Sequence, residues 1–123
     1  MRTATNERIE GMRIAIPLAG GKLSAHFGHC EEFALIDTNR ESKSITSTLM
    51  FAAPPHEPGL LPRWLAEKGA QMIIAGGMGR RAQGLFEQQD IAVVVGAPTD
   101  TPEVIVNAYL EGSLRTGKNT CDH

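Results

Sequence analysis

The sequence predicts a single α/β domain with the element order βββαβαβα, one five-stranded mixed sheet and helices on both of its faces. Three observations in the 123 residues carry that expectation. Three strand-like runs precede any helical stretch. Helical stretches and strands then alternate to the end. The late strand segments "MIIA" and "AVVV" are continuously apolar, as strands covered on both faces are.

Taken in order, "MRIAIPL" (Met12 to Leu18) is an apolar, β-branched first strand that stops at Gly20-Gly21. "EFALID" (Glu32 to Asp37) is the second. After the polar turn "TNRESK", "SITSTLMFA" (Ser44 to Ala52) alternates Ile45, Ser47, Leu49 and Phe51 as the third. "PPHEPG" breaks the chain. "LLPRWLAEKG" carries Leu60, Leu61, Trp64 and Leu65 at helical spacing, with Pro62 in the first turn and Lys68-Gly69 as a stop. "QMIIAGG" (Gln71 to Gly77) is the fourth strand, Gly79 to Asp90 a short helix, and "IAVVVGA" (Ile91 to Ala97) the fifth strand. Thr101 before Pro102 and Glu103 caps a last helix from about Pro102 to Glu111.

A short turn makes strands two and three antiparallel, and the missing helix between strands one and two makes that pair antiparallel as well. Helical crossovers set strands four and five parallel to the first. Four connections then share one edge of the sheet: "AGGKLSAHFGHCE", "APPHEPG", "GGMGRR" and "GAPTDTP". Ligands of open α/β sheets bind outside the carboxyl ends of the strands. His26, His29, Cys30 and His56 are therefore expected on this rim.

Imidazole nitrogen and thiolate sulfur suit zinc, copper(I), iron and iron–sulfur clusters. His26 and His29 at i, i+3 face one side of a tight turn that Gly28 permits, and Cys30 adds a soft anionic donor. The same residues also fit an ordinary loop, with His26 bonded locally, His29 solvated and Cys30 packed as a small apolar group. His56, between prolines, equally fits a solvated turn. In "GGMGRR", Gly76, Gly77 and Gly79 allow close backbone approach, the amides at a helix N-terminus favour an anion, and Arg80 and Arg81 add positive charge. The alternative is a tight turn that needs glycine for conformation only. Met78 either offers a thioether or packs. The segment lacks both the G-x-G-x-x-G order and the Walker lysine, which argues against nucleotide. A histidine–cysteine loop beside an anion-binding turn points instead to an anionic metal cluster.

"HFGHCEEFALID" and "PPHEPGLLPRWLAEKGAQMIIAGGMGRRAQGLFEQQDIAVVVGA" resemble the dinitrogenase iron-molybdenum cofactor biosynthesis family over about Met12 to Leu110. That family includes nitrogenase cofactor carriers of the NifX type, the C-terminal domain of NifB, stand-alone members and orange-protein relatives. The resemblance implies a ribonuclease-H-like fold with strand order 3-2-1-4-5. It implies non-catalytic carriage of an iron–sulfur or iron-molybdenum precursor cluster between donor and acceptor proteins, with His26 of the "HFG" segment as a cluster contact. His29 and Cys30 replace the "GR" of the nitrogenase carriers. A molybdenum–copper sulfide cluster of the orange-protein type is the alternative cargo, and a metal-free regulatory or scaffold domain the alternative role.

Other classes fit less well. The balance of 12 basic and 14 acidic residues, formally −2, offers no basic face for nucleic acid. No apolar run approaches the ~20 residues of a membrane span. The N-terminus has no apolar secretory segment, and the two cysteines do not make a disulfide scaffold, so a cytoplasmic protein is expected. A nuclease would need carboxylates converging on metal from strands one and four, and a Cys–His hydrolase would need a third, orienting group. Residues 1–11 read as a flexible leader, 12–114 as the carrier domain and 115–123 as a flexible tail, in a monomer or weak homodimer. The tail's Cys121 and His123 form a C-x-H pair of soft donors. If that pair is auxiliary, Cys30→Ser is expected to harm loading more than Cys121→Ser.

Overall fold

The computed structural model describes residues 11–55, 57 and 59–117. His56, Cys121 and His123 lie outside the described residues. The elements are β1 (Gly11–Ala19), β2 (Lys22–Leu23), a 3-10 turn (Phe27–His29), β3 (Glu32–Asn39), β4 (Ser44–Ala52), α1 (Leu60–Glu67), β5 (Met72–Ile74), α2 (Arg80–Gln88), β6 (Ala92–Val94) and α3 (Pro102–Glu111).

The sheet runs β4-β3-β1-β5-β6. β1 is antiparallel to β3 and parallel to β5, β3 is antiparallel to β4, and β5 is parallel to β6. This is the expected mixed order, with one addition. β2 is a sixth strand that folds back on β1, pairing Leu18 with Leu23 and Ala19 with Lys22. Two residues separate the pair, and both central glycines have positive φ, 64° at Gly20 and 82° at Gly21. That is the geometry of a type I′ hairpin. Pro17, which has no N–H to give a ladder, stands beyond the last β1–β5 pair, Ala15 with Ile73. Its carbonyl instead accepts from the Ser24 amide at 2.8 Å. β5 thus yields its place beside β1 to the returning chain.

Alternation along the central strands builds two apolar layers. Ala15, Phe33, Leu35 and Ile73 pack with Leu61 and Leu65 of α1 and Phe86 of α2. Ile14, Ile16, Leu18, Ala34, Ile36 and Ile74 pack with Ile105 and Val106 of α3. Helices therefore cover both faces. β6 departs from the sequence reading, since Ala92 is exposed and Val93, Val94 and Val95 are only half-buried. It is the edge strand, so its apolar run is covered only in part. The first strand begins at Gly11, one residue earlier than expected. α3 has the expected bounds: Thr101 Oγ1 accepts from the Val104 amide, and Gly112 ends the helix at φ 78°.

Opposite the rim, the Arg13 guanidinium spans both oxygens of Asp37 (2.6 and 2.9 Å) and donates to the Lys68 carbonyl at 2.6 Å. This bidentate pair ties β1 to β3 and to the turn after α1.

Phe86 is fully buried where α2 meets the sheet, and it packs edge-to-face on Phe27 with centroids 5.5 Å apart. Phe86→Ala is expected to lower unfolding free energy by about 3–5 kcal/mol in urea titration.

Candidate functional site

The four connections on the rim are joined through their backbones. The histidine connection meets the glycine turn in a parallel bridge between His26 and Gly77. There the Phe27 amide donates to the Gly77 carbonyl (2.8 Å) and the Gly77 amide to the Ala25 carbonyl (2.7 Å). Leu23 donates to the Asp100 carbonyl (2.8 Å), reaching the connection before α3, and Ala53 donates to the Glu31 carbonyl (2.9 Å), reaching the connection after β4. Gly76 lies close against the histidine connection. A Cβ there would lie 2.9 Å from both the Ser24 and Ala25 carbonyl oxygens.

Within the histidine connection, Phe27 is the anchor. Its ring sits against Phe86 and, at 6.3 Å, against Phe33. The 3-10 turn then sends alternate groups outward and inward. His26 and His29 are exposed, and their rings meet edge-on with centroids 5.6 Å apart. The backbone beneath them is fixed by His29 N–H to His26 O (3.0 Å) and by the buried Ser24 hydroxyl donating to His26 O (2.8 Å). This is a pair of imidazoles on a braced turn.

Two candidate rim donors, for which packing was the alternative, take inward positions. The structure packs Cys30, 6% exposed, into the core with Phe33 and Phe86. Burial pushes its thiol up to about 11, partly offset by a backbone hydrogen bond. The chain leaves the 3-10 turn in extended conformation at Cys30, and this carries the side chain under the loop. At neutral pH it presents no thiolate at the surface. Met78 is 1% exposed in the same core, so the packing alternative describes it. Its carbonyl accepts from Gln83 Nε2 at 2.9 Å.

The glycine turn divides in function. Gly77's amide bonds to the histidine connection, so it braces the rim and is not offered to an anion. Gly79 precedes α2 without a side-chain cap, and Arg80 and Arg81 open the helix as exposed residues. The positive end of α2 therefore faces outward with two cations on it. Beside it lies a cavity of about 360 Å³ bordered by Phe27, Glu57, Pro62, Arg81 and Phe86. On the other side of the bridge, a cavity of about 180 Å³ is bordered by Ala25, Gly76, Gly77, Gly96 and Thr99. Phe27, Ser24 and Gly96 were not singled out from sequence. The glycine just past "VVV" was the available signal for Gly96.

Among the described residues, no three His, Cys, Asp or Glu side chains gather to hold a metal ion. Asp37, a carboxylate a nuclease would want, is engaged by Arg13 at the far end. No helix among the described residues is long and apolar enough to cross a membrane.

Comparison with known proteins adds the following. The dinitrogenase iron-molybdenum cofactor family matches residues 11–112. The uncharacterized protein MJ0580 of Methanocaldococcus jannaschii is 33% identical over 112 residues, 87% of this chain and 92% of that protein. The crystal structure of PH0822 superposes with a TM-score of 0.79 at 28% identity, covering 88% of this chain and 96% of that one. The apo orange protein from Desulfovibrio gigas shares the fold, with a TM-score of 0.67 at 19% identity over 88% of this chain and 94% of its own.

Two outcomes follow from this geometry. Gly76→Ala must push two backbone carbonyls aside, so it should cost about 1–3 kcal/mol in urea unfolding and deprotect the Phe27 and Gly77 amides in hydrogen exchange. For Cys30, the unfolded chain ionises near the ordinary 9.0 while the folded chain holds its proton to about 11. The thiol's contribution is therefore whole below pH 9 and falls as pH rises toward 11. The stability gap between wild type and Cys30→Ala should shift against wild type over that window, measured by urea midpoints at pH 8 and pH 10.5.

Proposed function

This chain belongs to the dinitrogenase iron-molybdenum cofactor family, and on that premise we propose that it binds a preassembled anionic metal–sulfur cluster and hands it to an acceptor protein without transforming it. The cargo is an iron–sulfur or iron-molybdenum cofactor precursor, received from a donor protein. The observation that carries the reading is the His26–Gly77 bridge, because it joins the loop of two exposed imidazoles to the turn that leads into the helix start carrying Arg80 and Arg81.

The donor set fits such a cargo better than it fits a lone ion. A single zinc or iron ion needs three or four protein ligands. A cluster brings its own sulfide, so one or two imidazoles at exchangeable positions suffice to seat it. His26 and His29 are those donors. The positive end of the α2 dipole and the two arginines balance the cluster's negative charge. Neutral imidazole is a modest ligand, which suits a site that must also release. His56 stays a candidate donor by its position in the connection after β4.

Incubation without oxygen tests this reading, using chelated iron with sulfide in one arm and copper with tetrathiomolybdate in the other. After desalting, the wild type should retain metal and sulfide in fixed stoichiometry with visible colour. The His26→Ala/His29→Ala double variant should bind about tenfold or more weakly, and Cys30→Ala should load as wild type does. Colourless wild type in both arms would overturn carriage and favour a metal-free scaffold. Colour only in the copper arm would assign a molybdenum–copper sulfide cargo.

A further inference from the structure

The two edges of the sheet are finished differently. β6 is short, three residues from Ala92 to Val94. β4 runs nine residues, Ser44 to Ala52, with β3 on one side and, among the described residues, no strand on the other. Edge strands are usually shortened, charged, or interrupted by proline or a bulge, because an open row of N–H and C=O groups invites another strand. β4 uses one of these devices, and only in its first half. The register shifts beside Asp37 and Thr38, which makes Thr46 an extra residue, and its hydroxyl donates to the Asp37 carbonyl at 3.1 Å. From Ser47 to Ala52 the strand "STLMFA" has no charge, no proline and no further irregularity. Leu49 and Met50 within it are 42% and 48% exposed.

The direction of the backbone groups follows from the ladder. The Ala53 amide donates to the Glu31 carbonyl (2.9 Å), and the register then turns Phe51, Leu49 and Ser47 toward Phe33, Leu35 and Asp37. Thr48, Met50 and Ala52 therefore direct their N–H and C=O groups away from the sheet. These positions are symmetric about Met50. A two-fold axis there sets Met50 against Met50 of a second copy and Thr48 against its Ala52, and each pair exchanges both backbone hydrogen bonds. Neighbouring registers do worse. Centring on Thr48 or Leu49 draws the Thr46 bulge into the ladder, and centring on Phe51 opposes Thr48 to Pro54, which has no N–H to give.

The side chains suit the same register. Phe51 lies on the α1 face, so Leu49 of one copy meets Phe51 of the other there. Met50 pairs with Ala34 and lies on the α3 face, where it meets its own copy. No charge is set against a like charge anywhere between Ser47 and Ala52.

We propose that a second copy of this chain docks on β4, antiparallel and centred on Met50, to make one sheet across a two-fold dimer. The paired strands run in opposite directions, so the two histidine rims point to opposite ends of the joined sheet and both stay open. The dimer does not depend on what the rims carry.

Sedimentation equilibrium of the full chain, from about 1 μM to about 1 mM, should show a dimer that forms with concentration. Met50→Lys sets two ammonium groups side by side on the axis and should weaken the dimer about tenfold or more, with its urea midpoint near that of wild type because the side chain is exposed. In a Cys121→Ser background, Met50→Cys treated with oxidised glutathione should give a disulfide-linked dimer, since hydrogen-bonded antiparallel partners lie about 5.5 Å apart at Cα. Thr48→Cys, whose counterpart stands four positions out of register, about 13 Å along the strand, should cross-link about tenfold more slowly. A wild type that stays monomeric over the whole range overturns the proposal and leaves the edge to a strand of another protein. A dimer that Met50→Lys leaves intact, or equal cross-linking at positions 48 and 50, overturns it as well.

Discussion

Two reciprocal backbone hydrogen bonds, between the Ala25–Phe27 segment and Gly77, set the geometry on which the rest of the rim depends. Neither segment belongs to a named strand, yet they meet as strands do, in a parallel bridge. The bridge requires a residue without a side chain at position 76, since two carbonyl oxygens occupy the space a Cβ would take. It converts a long excursion after β1 into a structure fixed at both ends. Whatever His26 and His29 do chemically, they do from a frame whose position relative to α2 is set by peptide groups and not by side-chain packing alone.

Packing completes what the bridge begins. Phe27 lies between Phe33 on β3 and Phe86 on α2, so the histidine turn shares the core that α1 and α2 bury. Outward imidazoles and an inward thiol are two results of one local conformation: a 3-10 turn that ends in extended chain at Cys30. A polar exterior and an apolar underside on a short loop are both needed if exposed donors are to be held without a regular strand beneath them.

Much of this was legible in the sequence. β4 and α3 begin and end where pattern and capping place them, because a polar turn, Thr101-Pro102 and Gly112 are strong local signals. The gathering of connections on one edge followed from strand direction alone. Other features were not legible, for identifiable reasons. Gly20-Gly21 reads as a strand stop, and nothing in a two-residue return announces that it will pair. β6 looks like a buried strand because an apolar run does not reveal whether a neighbour exists on its far side. Cys30 sits beside a histidine in sequence, but adjacency says nothing about which way successive side chains point. The hydrogen bond from the Gly117 amide to the Gly96 carbonyl joins residues whose meeting depends on the whole path of α3.

Arg13 stands at the other extreme of the molecule from the histidines. Its guanidinium joins Asp37 on β3 to the carbonyl of Lys68, across three segments of chain. The two poles of the domain are thus fastened by different means: charge-assisted side-chain bonds at one, backbone hydrogen bonds between loops at the other. Opening the loop pole need not unzip the strands, because the clasp that keeps them in register lies elsewhere. A disturbance of the contacts between the loops would therefore leave the far end of the sheet as it is.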